Sequence, residues 1–245
     1  MPYRNKILAT LAGADRERLA ASMKRVQLNY KEVLIEPNAP IEHVYFVESG
    51  VVSLVTDLHE GGVIESGTVG NESMAGTAVL LGVMRTPSRH FVQIPGEAIR
   101  LPAEAIAEER RRGGPFAEAL LRVTHATMGM LSQCVACNRA HAVEQRMCRW
   151  LLMTRDRVES DEFPLTQEFL AQMLGVHRPA VNIAGGALQR AGLIRYSRGK
   201  ITIVDREGLE SAACECYEVI RAEFRRALSE STESADKAPI SGISL

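Results

Sequence analysis

The pattern of apolar and polar positions changes three times along the chain. Near residues 5–25, Ile7, Leu8, Leu11, Leu19 and Met23 fall on one side of a short amphipathic helix. From Val26 to about Leu101 the period shortens to two. Runs such as HVYFVES (43–49) and VVSLVTD (51–57) alternate and are broken by Gly50, Gly61-Gly62, Gly67, Gly70 and Gly96. Strands at that spacing with glycine turns predict a compact antiparallel sandwich or barrel. Residues 72–82 are less regular and leave room for a short helical piece.

Beyond Pro102 the pattern is helical. Gly113-Gly114 separates a short charged helix from a long one that Pro115 can open. Along the long helix Phe116, Leu120, Val123, Thr127, Met130, Cys134 and Cys137 recur at steps of four and three, a heptad seam of dimer type. Leu121, Met128, Leu131 and Val135 form a second stripe beside it. Two adjacent stripes predict two surfaces to cover, the helix's own sandwich and the same helix of a second subunit. A single wide stripe packed inside a monomer is the other reading. A further helix is predicted over 141–158, with Val143, Met147, Trp150, Leu151 and Val158 on its apolar side. The last residues, SESTESADKAPISGISL, are polar and predict a disordered tail.

Residues 164–204 hold the strongest local signal. Thr166 caps a helix that runs through Leu174, Gly175 supplies a turn, and a second helix starts near Arg178 and ends around Gly192. On the second helix Val181, Ala184 and Leu188 share one face, while Arg178, Asn182, Gly186 and Gln189 share a polar one. LIRYS-RGK-ITIV then reads as a hairpin with a basic tip. Together these describe a helix-turn-helix with a wing. A helical hairpin used only for packing is the competing reading.

Hydrophobic residues make up 46% of the 245 and charged ones 24%, as in an ordinary globular protein. The net charge of −1 is neutral about partners, but its distribution is not. No Asp or Glu occurs from Phe169 to Val204, where Arg178, Arg190, Arg195, Arg198 and Lys200 cluster, a footprint suited to phosphate contact. No apolar run is long enough to span a membrane. Asp15, Arg16, Glu17 and Arg18 interrupt any secretory core, so the chain is expected in the cytosol with its five cysteines reduced.

YFVESGVVSLV (45–55), the glycine-punctuated region ending at VGNE (69–72) and above all LTQEFLAQMLGVHRPAV (165–181) resemble the Crp/Fnr family of bacterial transcription regulators. The resemblance implies an α+β fold: a β-roll related to cyclic-nucleotide-binding domains with an N-terminal helix (1–112), a dimerisation helix (113–139), a winged helix-turn-helix (140–228) and a tail (229–245). It implies a homodimer on an inverted-repeat operator, with double-stranded DNA, RNA polymerase and an unidentified small-molecule effector as partners. Arg178 and Asn182 are expected to touch bases. Thr166, Gln167, Gln189, Arg195, Arg198 and Lys200 are expected to touch phosphates. Pro179 and Ile183 stand where relatives carry hydrogen-bonding Glu and Arg, so the best-known family operator is not expected.

Gly70, Glu72, Ser88 and Arg89 occupy the region of the family's effector pocket. Glu72 matches a ribose-binding carboxylate, but Ser88-Arg89 reverses the Arg-Ser order that holds a cyclic phosphate, so cyclic AMP is not the expected effector. None of the first 133 residues is a cysteine, which sets aside the N-terminal iron–sulfur sensor of one family branch. His43, His59, His90 and His125 read as isolated surface or core histidines. No cofactor or metal is expected, and no nucleophile–base pair or phosphate loop suggests an enzyme. For Cys134-x-x-Cys137, Cys148 and Cys214-x-Cys216 two readings stand, core or seam packing and a thiol or metal sensor. A ligand- or redox-sensing module acting through protein contacts without DNA is the alternative function.

Overall fold

The computed structural model describes residues 3–11, 13–59 and 62–229, so the predicted tail beyond Ser229 lies outside the described residues. The N-terminal helix is shorter than its apolar pattern suggests. A 3-10 turn at Leu8–Thr10 and helix α1 (Gly13–Ala20) replace it, and Met23 falls just before the first strand. The reason is Asn5, which is fully buried. Its amide donates to the carbonyls of Val47 and Ser73, at 3.0 and 2.8 Å, and its oxygen accepts the backbone N–H of Ile7 and Leu8. That anchoring starts a tight turn where a continuous helix would have run.

Strands β1 (Lys24–Leu28), β2 (Val33–Ile35), β3 (His43–Asp57), β4 (Val63–Val69), β5 (Met74–Ala75) and β6 (Arg89–Pro102) form one antiparallel six-stranded sheet. Its order is β1-β6-β3-β4, with β2 paired to β6 and β5 to β3. The short helical piece near 72–82 is a 3-10 turn at Thr77–Leu81. Strands β3 and β6 are long because they bend together. Their register shifts between Val47 and Val52, where Gly50 takes a φ of +86° and a Cβ on Gly96 would collide with the Ser49 carbonyl. That double bend curls the sheet around Leu28, Val47, Val52, Leu54, Val69, Val92 and Ala98.

Helices α2 (Ala103–Arg112), α3 (Pro115–Ala140) and α4 (Val143–Val158) follow. The predicted dimer seam proves to be the inward face of α3. Phe116, Leu120, Val123, Thr127, Met130, Cys134 and Cys137 are all buried within their own chain. The outward stripe is the second one, with Leu121 44%, Met128 54% and Val135 73% exposed. Heptad spacing is the same for packing on a sheet as for packing on another helix, so periodicity alone could not choose between them.

Helix α4 is enclosed on nearly all sides and joins the β-roll to the rest. Trp150 donates its indole N–H to Glu65 at 2.9 Å, and Ser53 bonds the other oxygen of Glu65 at 2.8 Å. Arg157 reaches Glu72 through Nε at 2.9 Å and Nη2 at 2.7 Å, and also holds the hydroxyl and carbonyl of Thr68. Then come β7 (Glu162–Pro164), α5 (Gln167–Leu174), α6 (Arg178–Arg190), β8 (Ile194–Ser197), β9 (Lys200–Ile203), α7 (Arg206–Ala212) and α8 (Cys216–Ser229). The small sheet runs β7-β9-β8; β7 carried no sequence signal of its own because it is three residues long and ends at a proline. Among the described residues no helix is long and apolar enough to cross a membrane.

Full burial pushes the Glu65 carboxyl up to about 7, against the pull of Trp150, Ser53 and two arginines. The folded chain holds this proton at pH values where the unfolded carboxyl, at 4.5, has lost it. Stability from this group is therefore lost as pH rises from 4.5 to about 7. His90, pulled down to about 4 by burial, tilts the opposite way below 6.5, so the test compares a variant with the wild type. Glu65→Gln keeps an acceptor for Trp150 and should gain roughly 2–3 kcal/mol on the wild type between about pH 4.5 and pH 8 in denaturant unfolding. A difference that stays flat over that range would show that Glu65 titrates normally.

Candidate nucleic-acid interface

The sequence 165–178 folds into a tight two-helix corner for local reasons. Thr166 Oγ1 accepts the Phe169 N–H at 3.1 Å and caps α5, and Gly175 closes it at a φ of +61°. Arg146 of α4 donates to the Leu174 carbonyl, setting a cation on the C-terminal end of α5. Pro179 sits in the first turn of α6, where its missing N–H costs nothing. Val181, Ala184 and Leu188 are buried, as their shared face predicts.

The opposite face of α6 is open. Arg178, Asn182 and Gln189 are exposed, and Ile183 shows 69% of its surface. An apolar side chain so exposed on a polar face suits contact with a thymine methyl or another apolar group. Gln189 is partly committed: its side-chain oxygen accepts the Tyr196 N–H at 2.9 Å and ties β8 to α6.

The wing tip is a two-residue hairpin. Ser197 pairs with Lys200, while Arg198 and Gly199 take φ values of +50° and +76°. Two left-handed residues in succession match the twist of the flanking strands. The arginine accepts that conformation, uncommon for a residue other than glycine, and is exposed. Arg195 and Arg198 are exposed, whereas Lys200 pairs with Glu162 of β7 at 2.8 Å. That acid lies just outside the acid-free segment, so sequence inspection missed the pairing. Thr166, Gln167, Glu168, Arg178, Tyr196 and Gly199 line one shallow groove of about 290 Å³ between the two helices and the wing. The eight expected DNA-facing residues thus gather on the helix-turn-helix and wing.

The expected effector residues do not gather. Gly70 and Glu72 face Arg157; a Cβ on Gly70 would strike that side chain. Burial alone would raise the Glu72 carboxyl, but Arg157 outweighs it and holds the group below the usual carboxylate range. Arg89 pairs instead with Asp57 at 2.6 Å, and Ser88 bonds Thr86 and His90. The four therefore form no common pocket: Arg157 takes up Gly70 and Glu72, while Ser88 and Arg89 bond to other partners. A cavity of about 790 Å³ does open beside Glu72, lined also by Lys6, Asp156, Arg206, Tyr217 and Phe224.

Away from these surfaces, Cys137, His141, Cys214 and Cys216 bring one donor atom each to within 4.8 Å of one another, the geometry of a metal site. Cys134 is not part of the group; it takes a contact from Arg149 at 3.5 Å. Arg149, on α4, is a cation that sequence proximity could not reveal, since Arg139 is the nearest one along the chain.

Comparisons with known proteins agree with this architecture. Residues 25–113 match the cyclic nucleotide-binding domain, and residues 145–212 match the Crp-like helix-turn-helix domain. No curated protein matches the chain. Among solved structures, FixK2 from Bradyrhizobium japonicum superposes with a TM-score of 0.67 at 15% identity, over 78% of this chain and 98% of that one. A CRP-family transcriptional regulator from Thermus thermophilus gives 0.62 at 22% identity, over 78% and 96%. The c-di-GMP-responsive global regulator CLP from Xanthomonas campestris gives 0.59 at 17% identity, over 76% and 96%. With both domain families matched in order around a long connecting helix, the chain belongs to the Crp/Fnr family of bacterial transcription regulators.

Proposed function

We propose that the chain is a homodimeric, non-enzymatic regulator that reads an inverted-repeat operator through α6 and holds the duplex with its wing. The observation that carries this reading is the outward face of α6, with Arg178, Asn182 and Ile183 exposed beside an arginine-tipped hairpin. Arg178 and Asn182 read base edges in the major groove. Thr166, Gln167, Arg195 and Arg198 contact phosphates, with Gln189 and Lys200 in lesser roles because each already holds a partner. RNA polymerase is the expected partner at the promoter.

The dimer forms along the outward stripe of α3. Leu121, His125, Met128, Ser132 and Val135 are all exposed and recur at steps of four and three, the spacing that a helix pair buries. A two-fold axis there presents two α6 helices to successive turns of DNA. The effector acts on the β-roll or on α3, and the cavity beside Glu72 has room for a small molecule. Because Arg157 already occupies the Glu72 carboxylate, that effector is not read as cyclic AMP.

Genomic mapping of bound DNA tests the class and yields the operator. On that operator Arg178→Ala should cost roughly 1–3 kcal/mol and relax specificity at one position. Equal losses on operator and random duplex would remove Arg178 from base reading. Arg198→Ala should instead weaken all duplexes alike and reduce the salt slope by about one; a sequence-dependent loss would contradict a phosphate role. Leu121→Glu with Met128→Glu should give monomers in sedimentation and poor operator affinity, since like charges would face each other across the seam. A double variant that remains dimeric would place the interface elsewhere.

A further inference from the structure

Cys137 and His141 stand one helical turn apart at the end of α3, while Cys214 and Cys216 flank the start of α8. Folding brings the two pairs together. Cys137 Sγ lies 3.5 Å from Cys214 Sγ, and Cys216 Sγ lies 3.6 Å from His141 Nδ1. A zinc ion with bonds of about 2.3 Å to sulfur and 2.0–2.1 Å to nitrogen sets donor-to-donor edges of roughly 3.5–3.8 Å. All four donors already sit within 4.8 Å of one another, so shifts of a few tenths of an ångström to about one ångström close the tetrahedron. We propose that Cys137, His141, Cys214 and Cys216 form a Cys3His site for a single zinc ion that clamps the end of α3 to the start of α8.

Three further observations favour a site over simple packing. Cys134 and Cys148 join the main hydrophobic core, as small apolar residues should, but Cys137, Cys214 and Cys216 form a separate buried group whose neighbours are each other. The donors also have the outer partners that metal ligands need. His141 turns Nδ1 to the thiols and Nε2 to the Glu215 carboxylate at 3.1 Å, which fixes the tautomer with its free lone pair toward the sulfurs. Gln133 donates its amide to Cys216 Sγ at 3.1 Å. Finally, three thiolates and one divalent ion leave a single negative charge, and a cation is at hand. Arg149 is buried, forms no ion pair with a carboxylate among the described residues, donates to the sulfurs of Cys134 and Met153, and lies within electrostatic reach of Cys137 and Cys214.

Loading the site forms three Zn–S bonds and one Zn–N bond, sends the remaining thiol protons to solvent and needs no oxidant. The compact donor spacing suits one ion rather than an iron–sulfide cluster, whose several metal atoms would hold the thiolates farther apart. All four ligands lie outside the two matched domain spans, 25–113 and 145–212. The clamp is thus an addition of this chain to the shared modules. It joins the helix that carries the exposed stripe to the last described helix of the DNA-binding half, so loss of the ion would loosen the junction between them.

The test is metal content of the full-length protein, loaded with zinc, passed through chelator and desalted. About one zinc per chain is expected. Cys214→Ser, Cys216→Ser and His141→Ala should each lose it, whereas Cys134→Ser and Cys148→Ser should keep it. His141→Cys preserves the donor count and should also keep the ion, which separates ligand loss from misfolding. With cobalt in place of zinc, the wild type should show thiolate charge-transfer and tetrahedral d–d absorption. A wild type that holds no zinc after loading would overturn the proposal. So would a Cys137–Cys214 disulfide in the purified protein, iron with acid-labile sulfide, or zinc retained by the Cys214 and Cys216 variants.

Discussion

Arg157 enters the β-roll from α4 and gives its guanidinium to Glu72 and Thr68, both partners largely buried. Desolvating that arginine and that carboxylate is expensive, and the pair is tolerable only because almost every donor finds a partner. Removing either partner alone would strand a buried charge, at a cost of about 3–5 kcal/mol. The position of α4 follows from this contact, and so does much else. Trp150 is brought to Glu65, Arg146 to the end of α5, and Arg149 to the sulfurs at the base of α3.

One helix therefore serves both halves of a two-part regulator. Its far end locks against the sheet, and its near end supports the helix-turn-helix. Phe169 of α5 meets Phe91 of β6 edge-on at 6.3 Å, so the reading domain also rests directly on the β-roll. A ligand that displaced Arg157 or shifted α3 would act on a packed joint, where a small local change would be passed on to the helix-turn-helix. The zinc clamp sits at the opposite end of the same joint. Metal there would fix α3 to α8, while the ion pair at Glu72 fixes α4 to the β-roll, leaving the wing and the outward face of α6 free to meet DNA.

Local rules carried the sequence reading a long way. The turn at Gly175, the Thr166 cap, the buried face of α6 and the hairpin at Arg198-Gly199 each depend on residues within a few positions of one another, and each was legible. The β-roll was legible as a class because period-two runs and glycine breaks are short-range signals. The family resemblance then ordered these parts, and the domain matches agree with it. The three-residue β7 was not legible, nor was the break of the N-terminal helix at Asn5, because each depends on a partner far along the chain.

What the sequence by itself determined was therefore the set of parts: a β-roll, a long helix, and a winged helix-turn-helix with a basic, acid-free reading segment. Which stripe of α3 faced inward was decided only in three dimensions, because a heptad serves a sheet or a second helix equally well. The fate of Glu72 was decided there too, by an arginine 85 positions away in the chain. So was the grouping of the cysteines. Cys134 and Cys137 look like a pair when written in a line, yet Cys137 belongs with His141, Cys214 and Cys216 once α8 folds back on α3. Propensity and capping act over a few residues, whereas burial and charge pairing depend on distance in space, which only the tertiary structure sets.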